Sequence, residues 1–499
     1  MLSQSRSILR AMSITGGTQA ISVVLSILRM KALALLLGPA GVGVLGIYNS
    51  FISTSSTLAG AGISNAAVRQ LAQAREDVTR FGVLKRVVFL ANLVQGLIAV
   101  AVIWLLRERL SIWLFGQSGY GLELGIAGVA VVLGLVLTSQ TSLLRGLRRI
   151  ADIGRVTVFG ALAGTVGGVL AVYLLGMDGL LWFVIVQPLT AVLIARRYTA
   201  KIDKGPVVEP ELRAFWPNWS EMARIGFGFM LGGLATSATM LIVNARIANE
   251  LGLGSAGQFV AAWGLTVTYL GFLLNAMSMD YYPRLAEIIE QDQPAAIRLM
   301  NEQTQLSLLI GGPVIFAMIG FAPLAILILY SADFTAAVAL LQWQMAGNIF
   351  KVASWPIAMT FAATGRAKTF LFTQIIFNVV YLALIWWGMP YLGLEIAGIA
   401  FLAGYLIYFL IVNVLVRRAI RFRWEMLSLS LLSAYAAIAI MVLALAFWNP
   451  LAGMISAGIA TAVSGFIGAH IVLERLGPSR YTAPLVKLYG ALGWPITRI

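Results

Sequence analysis

Residues 15–43 read TGGTQAISVVLSILRMKALALLLGPAGVG. The stretch is an apolar helix long enough to cross a membrane. Arg29 and Lys31 nevertheless sit inside its apolar run, and it closes in the turn Gly38-Pro39-Ala40-Gly41. Residues 243–259, VNARIANELGLGSAGQF, echo it with Arg246 and Gly254-Ser255-Ala256-Gly257. A buried cation followed by a glycine turn, found twice, points to a duplicated membrane machine that handles something anionic.

The rest of the chain is of the same kind. Of 499 residues, 60% are hydrophobic and 11% charged, whereas soluble domains carry about 25% charged residues. Apolar runs of about 18 residues or more recur along the whole length, each enough for roughly 30 Å of hydrocarbon. The short alternating segments of a membrane β-barrel dominate nowhere. The chain therefore reads as an all-α polytopic membrane protein. Its formal charge of +15 fits Lys and Arg held in cytoplasmic loops better than a nucleic-acid surface. There is no cysteine, which excludes disulfides, Cys-ligated zinc and thiol chemistry. The first hydrophobic stretch exceeds a signal-peptide core, ends in no clear A-x-A site and is followed by further spans, so it is expected to be retained.

About fourteen transmembrane helices are expected, at 12–37, 42–68, 87–106, 122–144, 156–175, 180–195, 225–249, 258–279, 304–329, 336–361, 370–387, 395–416, 427–447 and 451–473. Basic clusters fall on every second loop, which places both chain ends in the cytoplasm. Arg107 and Arg109, with Glu108 between them, are the exception. The segment 196–223 holds Arg196, Arg197, Lys201, Lys204 and Arg213 with Pro206, Pro210 and Pro217, and reads as a cytoplasmic linker. The expected organisation is an N-lobe with its linker over 1–215, a C-lobe over 216–425, and a helix pair with a short cytoplasmic tail over 426–499. Beyond the paired glycine turns, Val68-Arg69-Gln70-Leu71-Ala72 resembles Pro283-Arg284-Leu285-Ala286. An even number of spans per half returns the chain to its starting side. Two six-helix lobes would then be related by a pseudo-two-fold axis along the membrane normal, with the substrate path between them near the midplane.

A cation at the bilayer centre costs about 2.5–3.5 kcal/mol on insertion scales and usually faces a cavity or a partner. Arg29, Lys31, Arg246 and Lys351 are the candidates. Thr15, Thr18, Ser22, Ser26 and Arg29 form one polar stripe on the first helix. Lys31 lies on another face beside Val24, Ile27 and Leu35, where snorkelling to the outer interface would also account for it. A structural contact would equally account for Arg29. Arg246 has Glu250 one turn on, an i,i+4 pair, which either neutralises it or holds it ready for an anionic ligand. Lys351 is the strongest candidate, being too deep in its span to snorkel easily. Gln344, Asn348, Lys351 and Trp355 share its helical face. Amides for hydroxyls, an ammonium for phosphate and an indole for a ring resemble a sugar-phosphate wall, while polar contacts between helices are the alternative. No acidic residue lies at the centre of a span: Asp178, Asp280, Asp333 and Glu395 stand at span ends. His470, the single histidine, is near the end of the last span. No metal cluster, P-loop or nucleophile elbow is present in the sequence, so neither cofactor nor metal is expected.

Several stretches carry a family resemblance: Lys31-Ala-Leu-Ala-Leu-Leu-Leu-Gly-Pro-Ala-Gly41, Leu58-Ala-Gly-Ala-Gly-Ile63, Leu114-Phe-Gly116, Leu143-Leu-Arg-Gly-Leu147, Tyr282-Pro-Arg-Leu285 and FTAAVALLQWQMAGNIFK at 334–351. With them the chain resembles Wzx-type flippases of O-antigen or enterobacterial common antigen, in the polysaccharide branch of the multidrug/oligosaccharidyl-lipid/polysaccharide exporter superfamily. The resemblance implies a two-lobed fold with a central cationic cavity, in which Lys31, Arg246 and Lys351 fall on positions that are cationic in similar proteins. It implies a transporter, not an enzyme. Its substrate would be an undecaprenyl-diphosphate-linked oligosaccharide, moved by alternating access from the inner to the outer leaflet of a bacterial cytoplasmic (inner) membrane. Membrane lipids and other polysaccharide assembly proteins are the further partners expected, and no nucleic acid. The last helix pair lies beyond the twelve-span core of the nearest relatives. Asn348 stands where those relatives can carry an acidic residue, so this helix offers no carboxylate for ion coupling. The alternatives are a cation-coupled drug antiporter of the same superfamily, whose buried carboxylate is missing here, a lipid II-type flippase, and a membrane polysaccharide polymerase or ligase, which would need a large outer loop.

Overall fold

The computed structural model describes residues 2–202 and 212–476 with Tyr489 and Trp494. Side chains are described at 16–202, 215–268, 270–474 and at those two aromatics. The middle of the expected linker, with Lys204, Pro206 and Pro210, and most of the C-terminal tail lie outside the described residues, as do the side chains of Thr15 and Arg213.

Among the described residues the fold is helical without strands. The helices in order are α1 (Leu2–Ala59), α2 (Ile63–Gln73), α3 (Val78–Phe115), α4 (Gly121–Gly146), α5 (Ile150–Leu175), α6 (Gly179–Thr199), α7 (Leu212–Leu251), α8 (Leu253–Ile288), α9 (Gln293–Gly320), α10 (Ala322–Leu329), α11 (Thr335–Ala363), α12 (Ala367–Leu392), α13 (Ile396–Ile420), α14 (Met426–Trp448) and α15 (Pro450–Leu476). Ten stretches among the described residues are long and apolar enough to cross a membrane. Three of these, of 44, 50 and 54 residues, contain a break where the sequence predicts a turn. The breaks are at Gly38 in α1, at the 3-10 turn Gly176–Asp178 and at the 3-10 turn Gly393–Glu395. Gly38 has φ 61°, a conformation that glycine adopts without a Cβ penalty. Pro39 follows it and cannot donate to the preceding turn. The fourteen crossings remain the sequence's expectation.

Helices also run through segments that the sequence leaves as loops. The basic segment after the second span becomes α2 and the start of α3. Asp77 caps α3 by accepting from the Arg80 amide at 2.9 Å, and Asp292 caps α9 by accepting from the Ala295 amide at 2.9 Å. An Asp at this position satisfies an amide that the first turn leaves without a partner. Two expected spans are interrupted. The second ends at Ala59, because Gly62 (φ 68°) turns the chain into α2. The ninth ends at Gly320, and α10 follows after Phe321.

Contacts divide the chain into two compact units. The first comprises Met1–Val260 with Leu329–Asp333, and the second Ala261–Ile328 with Phe334–Ile499. In the first, α7 packs against α1, α2 and α3. The core at one end of this unit joins α2, α3, α4 and α7 through Ile63, Leu71, Phe81, Val87, Leu143 and Met222. In the second unit, Tyr281, Leu285, Met300, Ile357, Phe361 and Val412 form one core across α8, α9, α11 and α13. The final pair, α14 and α15, packs on α9. There Gly312 faces the Tyr435 ring, Gly320 faces Gly453 and Ala457, and Thr461 donates to the Pro313 carbonyl at 3.0 Å. Small residues permit this close helix approach without a hydrophobic driving force from lipid.

Candidate functional site

The two glycine turns that echo each other in sequence meet in space within the first unit. A Cβ at Gly43 has no room beside the Leu253 carbonyl, and one at Gly257 has none beside the Pro39 carbonyl. Backbone therefore touches backbone reciprocally, which needs glycine on both sides.

The cations near this contact are held in different ways. The Arg29 guanidinium donates to Gln187 Oε1 on α6 and lies over the Phe183 ring, 4.0 Å from its centroid. It is thus engaged with a helix of its own unit. On the same stripe, Ser22 donates to the Thr18 carbonyl at 2.8 Å. Lys31 shares a face with the exposed Val24, Leu28 and Leu35, and its ammonium reaches the Tyr330 carbonyl at 2.5 Å. Tyr330 lies in the short segment between α10 and α11 that belongs to the first unit. Arg246 pairs with Glu250 at 2.7 Å, both partly buried.

In the second unit the face of α11 is covered. Gln344 Oε1 accepts from Thr266 Oγ1 on α8 at 2.7 Å, while its Nε2 is buried without a partner. Asn348 is fully buried. Its Nδ2 touches Met345 Sδ at 3.5 Å and its Oδ1 has no partner. Trp355 packs 5.6 Å from the Tyr281 ring, whose hydroxyl donates to the Pro356 carbonyl at 2.8 Å. The Lys351 ammonium lies 5.2 Å from the Tyr405 ring centroid and 5.9 Å from that of Phe401. Among the described residues no carboxylate pairs with it. Ring faces attract a desolvated ammonium by about 2 kcal/mol and leave its positive charge in place. A cation held in this way can still receive an anion.

The structure thus groups Gln344, Asn348, Lys351 and Trp355 on one helix of the second unit, and Arg29, Lys31 and Arg246 within the first. It also adds features that sequence periodicity did not single out. One is the cluster of Phe377, Tyr381, Phe401 and Tyr405 beside Lys351. Another is a cavity of about 360 Å³ in the first unit, where Lys85, Gln140 and Arg196 meet an apolar wall that includes Leu71, Phe89 and Leu143. The sequence reads Lys85 and Arg196 only as loop cations that set topology.

Comparison with known proteins agrees with this architecture. The chain is 25% identical over 393 residues to the lipid III flippase of Escherichia coli (strain K12), covering 76% of this chain and 91% of that protein. Its fold is similar to that of the lipid II flippase MurJ in an inward closed conformation, with a TM-score of 0.66 at 13% identity, covering 94% of this chain and 99% of that one. It is also similar to an inward-facing multidrug resistance MATE family transporter of the MOP superfamily, with a TM-score of 0.63 at 16% identity, covering 81% of this chain and 94% of that one. The family described as polysaccharide biosynthesis protein matches residues 32–339, more than half of the chain, and the protein belongs to that family.

Proposed function

We propose that the protein is a flippase that moves an undecaprenyl-diphosphate-linked oligosaccharide from the inner to the outer leaflet of a bacterial cytoplasmic membrane by alternating access, with both chain ends in the cytoplasm. One observation carries the reading: Lys351 is an ammonium in the middle of a long helix, held over aromatic faces and paired with no carboxylate among the described residues. Keeping such a charge within a membrane helix is costly, and an anionic headgroup would repay that cost during the transport cycle. The relative from Escherichia coli carries the same kind of activity in its name.

In this reading Lys351 receives the diphosphate, and Arg246 and Lys31 are the cations that the first unit offers to an anionic ligand. Glu250 holds Arg246 in place until the ligand competes. Arg29 is fixed on Gln187 and sets the position of the first helix. Gln344, Asn348 and Trp355, on the same helical face as Lys351, are the further groups offered to the headgroup. No bond is made or broken in the substrate.

The test is complementation of a flippase-deficient strain. Lys351→Ala is expected to abolish surface polysaccharide at unchanged protein level, while Lys351→Arg retains a measurable fraction. Full surface polysaccharide in Lys351→Ala would refute the reading.

A further inference from the structure

The first unit contains a second cavity, of about 350 Å³, between α1, α2, α3, α4 and α7. Ser56, Thr57, Asn65, Asn92, Thr138 and Phe229 are among its lining residues, and none of the lining residues is ionisable. Its size falls in the range of small-molecule sites.

The hydrogen bonds of its wall indicate what it can hold. Thr57 Oγ1 donates to the Ser53 carbonyl at 2.8 Å. Thr138 Oγ1 donates to the Gly134 carbonyl at 2.8 Å, and Asn92 Nδ2 donates to the Val88 carbonyl at 2.8 Å. Each of these partners lies on the same helix as the donor. None of the three bonds joins two helices, so none of the three groups is used in helix–helix contact. Because the Thr57 and Thr138 protons and one Asn92 amide proton are directed into the helices, the oxygens of these residues remain as acceptors, and the Ser53, Ser56, Ser64 and Asn65 side chains add groups that both donate and accept. A phosphate would find no positive charge in this lining. A sugar hydroxyl donates and accepts, and it fits such a wall. Phe229 is 61% exposed and offers an aromatic face of the kind on which the C–H side of a pyranose packs.

We propose that this cavity is the subsite for an uncharged sugar unit of the headgroup, separate from the cations that take the diphosphate. The proposal rests on the flippase reading for its substrate, and it adds where the saccharide is recognised and by which chemistry.

The absence of cysteine from the chain makes a direct test possible. Ser56→Cys and Thr138→Cys each introduce a single thiol with little change of volume. The full-length variants, in membrane vesicles, are labelled with a small uncharged thiol reagent in the presence of a panel of neutral mono- and disaccharides, or of pyrophosphate at equal ionic strength. At a sugar concentration twice its dissociation constant, labelling should slow about threefold at both positions. Pyrophosphate should leave both rates unchanged. Gln291→Cys, at an exposed position between α8 and α9, should respond to neither. If Thr138→Cys is not inserted, Ser53→Cys on the same wall replaces it. Protection by pyrophosphate and not by sugars would overturn the proposal, as would no protection by any sugar in the panel. Flipping of a lipid-linked saccharide by the unmodified protein in proteoliposomes reads the transport function separately. Transport without sugar protection rejects the subsite alone, and sugar protection without transport rejects the flippase reading alone.

Discussion

Asn92 on α3 and Asn348 on α11 are both amides in long apolar helices, 1% and 0% exposed. Asn92 donates one amide proton to the Val88 carbonyl of its own helix and lines a cavity. Asn348 touches a methionine sulfur, and its carbonyl oxygen is enclosed without a partner. The same side chain is therefore satisfied beside open space in one unit and left unsatisfied under a covering helix in the other. A buried acceptor without a partner costs about 1–3 kcal/mol. That cost marks α11 as a face whose polar groups await another arrangement, whereas the wall around Asn92 is already arranged to accept.

Substitutions can break or sharpen this contrast. The largest effect is expected at the cation beside the enclosed amide. Lys351→Ala should lower affinity for the isolated lipid diphosphate by about 2–5 kcal/mol, the usual cost of truncating one partner of a buried charged contact. Binding of the purified protein to undecaprenyl diphosphate in nanodiscs measures it, and unchanged affinity would remove α11 from the site. Next is Gln187→Leu, which takes the acceptor from a partly buried guanidinium. The expected loss is about 1.5–3 kcal/mol of stability for a hydrogen bond to a charged group, read as a lower midpoint of thermal aggregation. An unchanged midpoint would free Arg29 from its structural role. Gln344→Leu should cost about 1–3 kcal/mol by stranding the Thr266 hydroxyl, and Thr266→Val in the same chain should recover most of it. Failure of that recovery would show that the pair does not act as a unit. The smallest effect belongs to Asn348→Leu. Replacing an unsatisfied amide by a side chain of similar shape should change stability by no more than about 1 kcal/mol, with the sign toward stabilisation. A large loss there would mean that the oxygen has a partner and that the two asparagines do not differ.

Much of the architecture can be read from local signals. Gly38-Pro39 marks a kink because one residue adopts positive φ and the next lacks an amide proton. Gly176 and Gly393 mark reversals for the first of these reasons. Asp77 and Asp292 begin helices in segments that charge alone suggests are loops. The site is less legible, because periodicity gives the direction of a side chain about its own helix but not what stands opposite. Gln344, Asn348, Lys351 and Trp355 do share a face. That Thr266 and Tyr281 from α8 and Tyr405 from α13 cover it depends on contacts distant in sequence. The neutral cavity left a weaker trace. Ser53, Ser56, Thr57 and Gly60 recur at helical spacing on the second span, yet small residues of this kind also serve ordinary helix packing. Arg29 and Lys31 are two residues apart, and their different partners, Gln187 and the Tyr330 carbonyl, lie 158 and 299 residues further along the chain.

The packing of α15 on α9 has a consequence for the order of events during synthesis. The glycine-bearing face of α9, with Gly312 and Gly320, is completed only by Tyr435, Gly453 and Ala457 from the last two helices. The ribosome makes α9 long before it makes them. In the interval that face has no partner from its own chain, and nascent α9 waits in the bilayer with a slot of small residues open to lipid or to the insertion machinery. This face of α9 therefore closes only after α15 emerges.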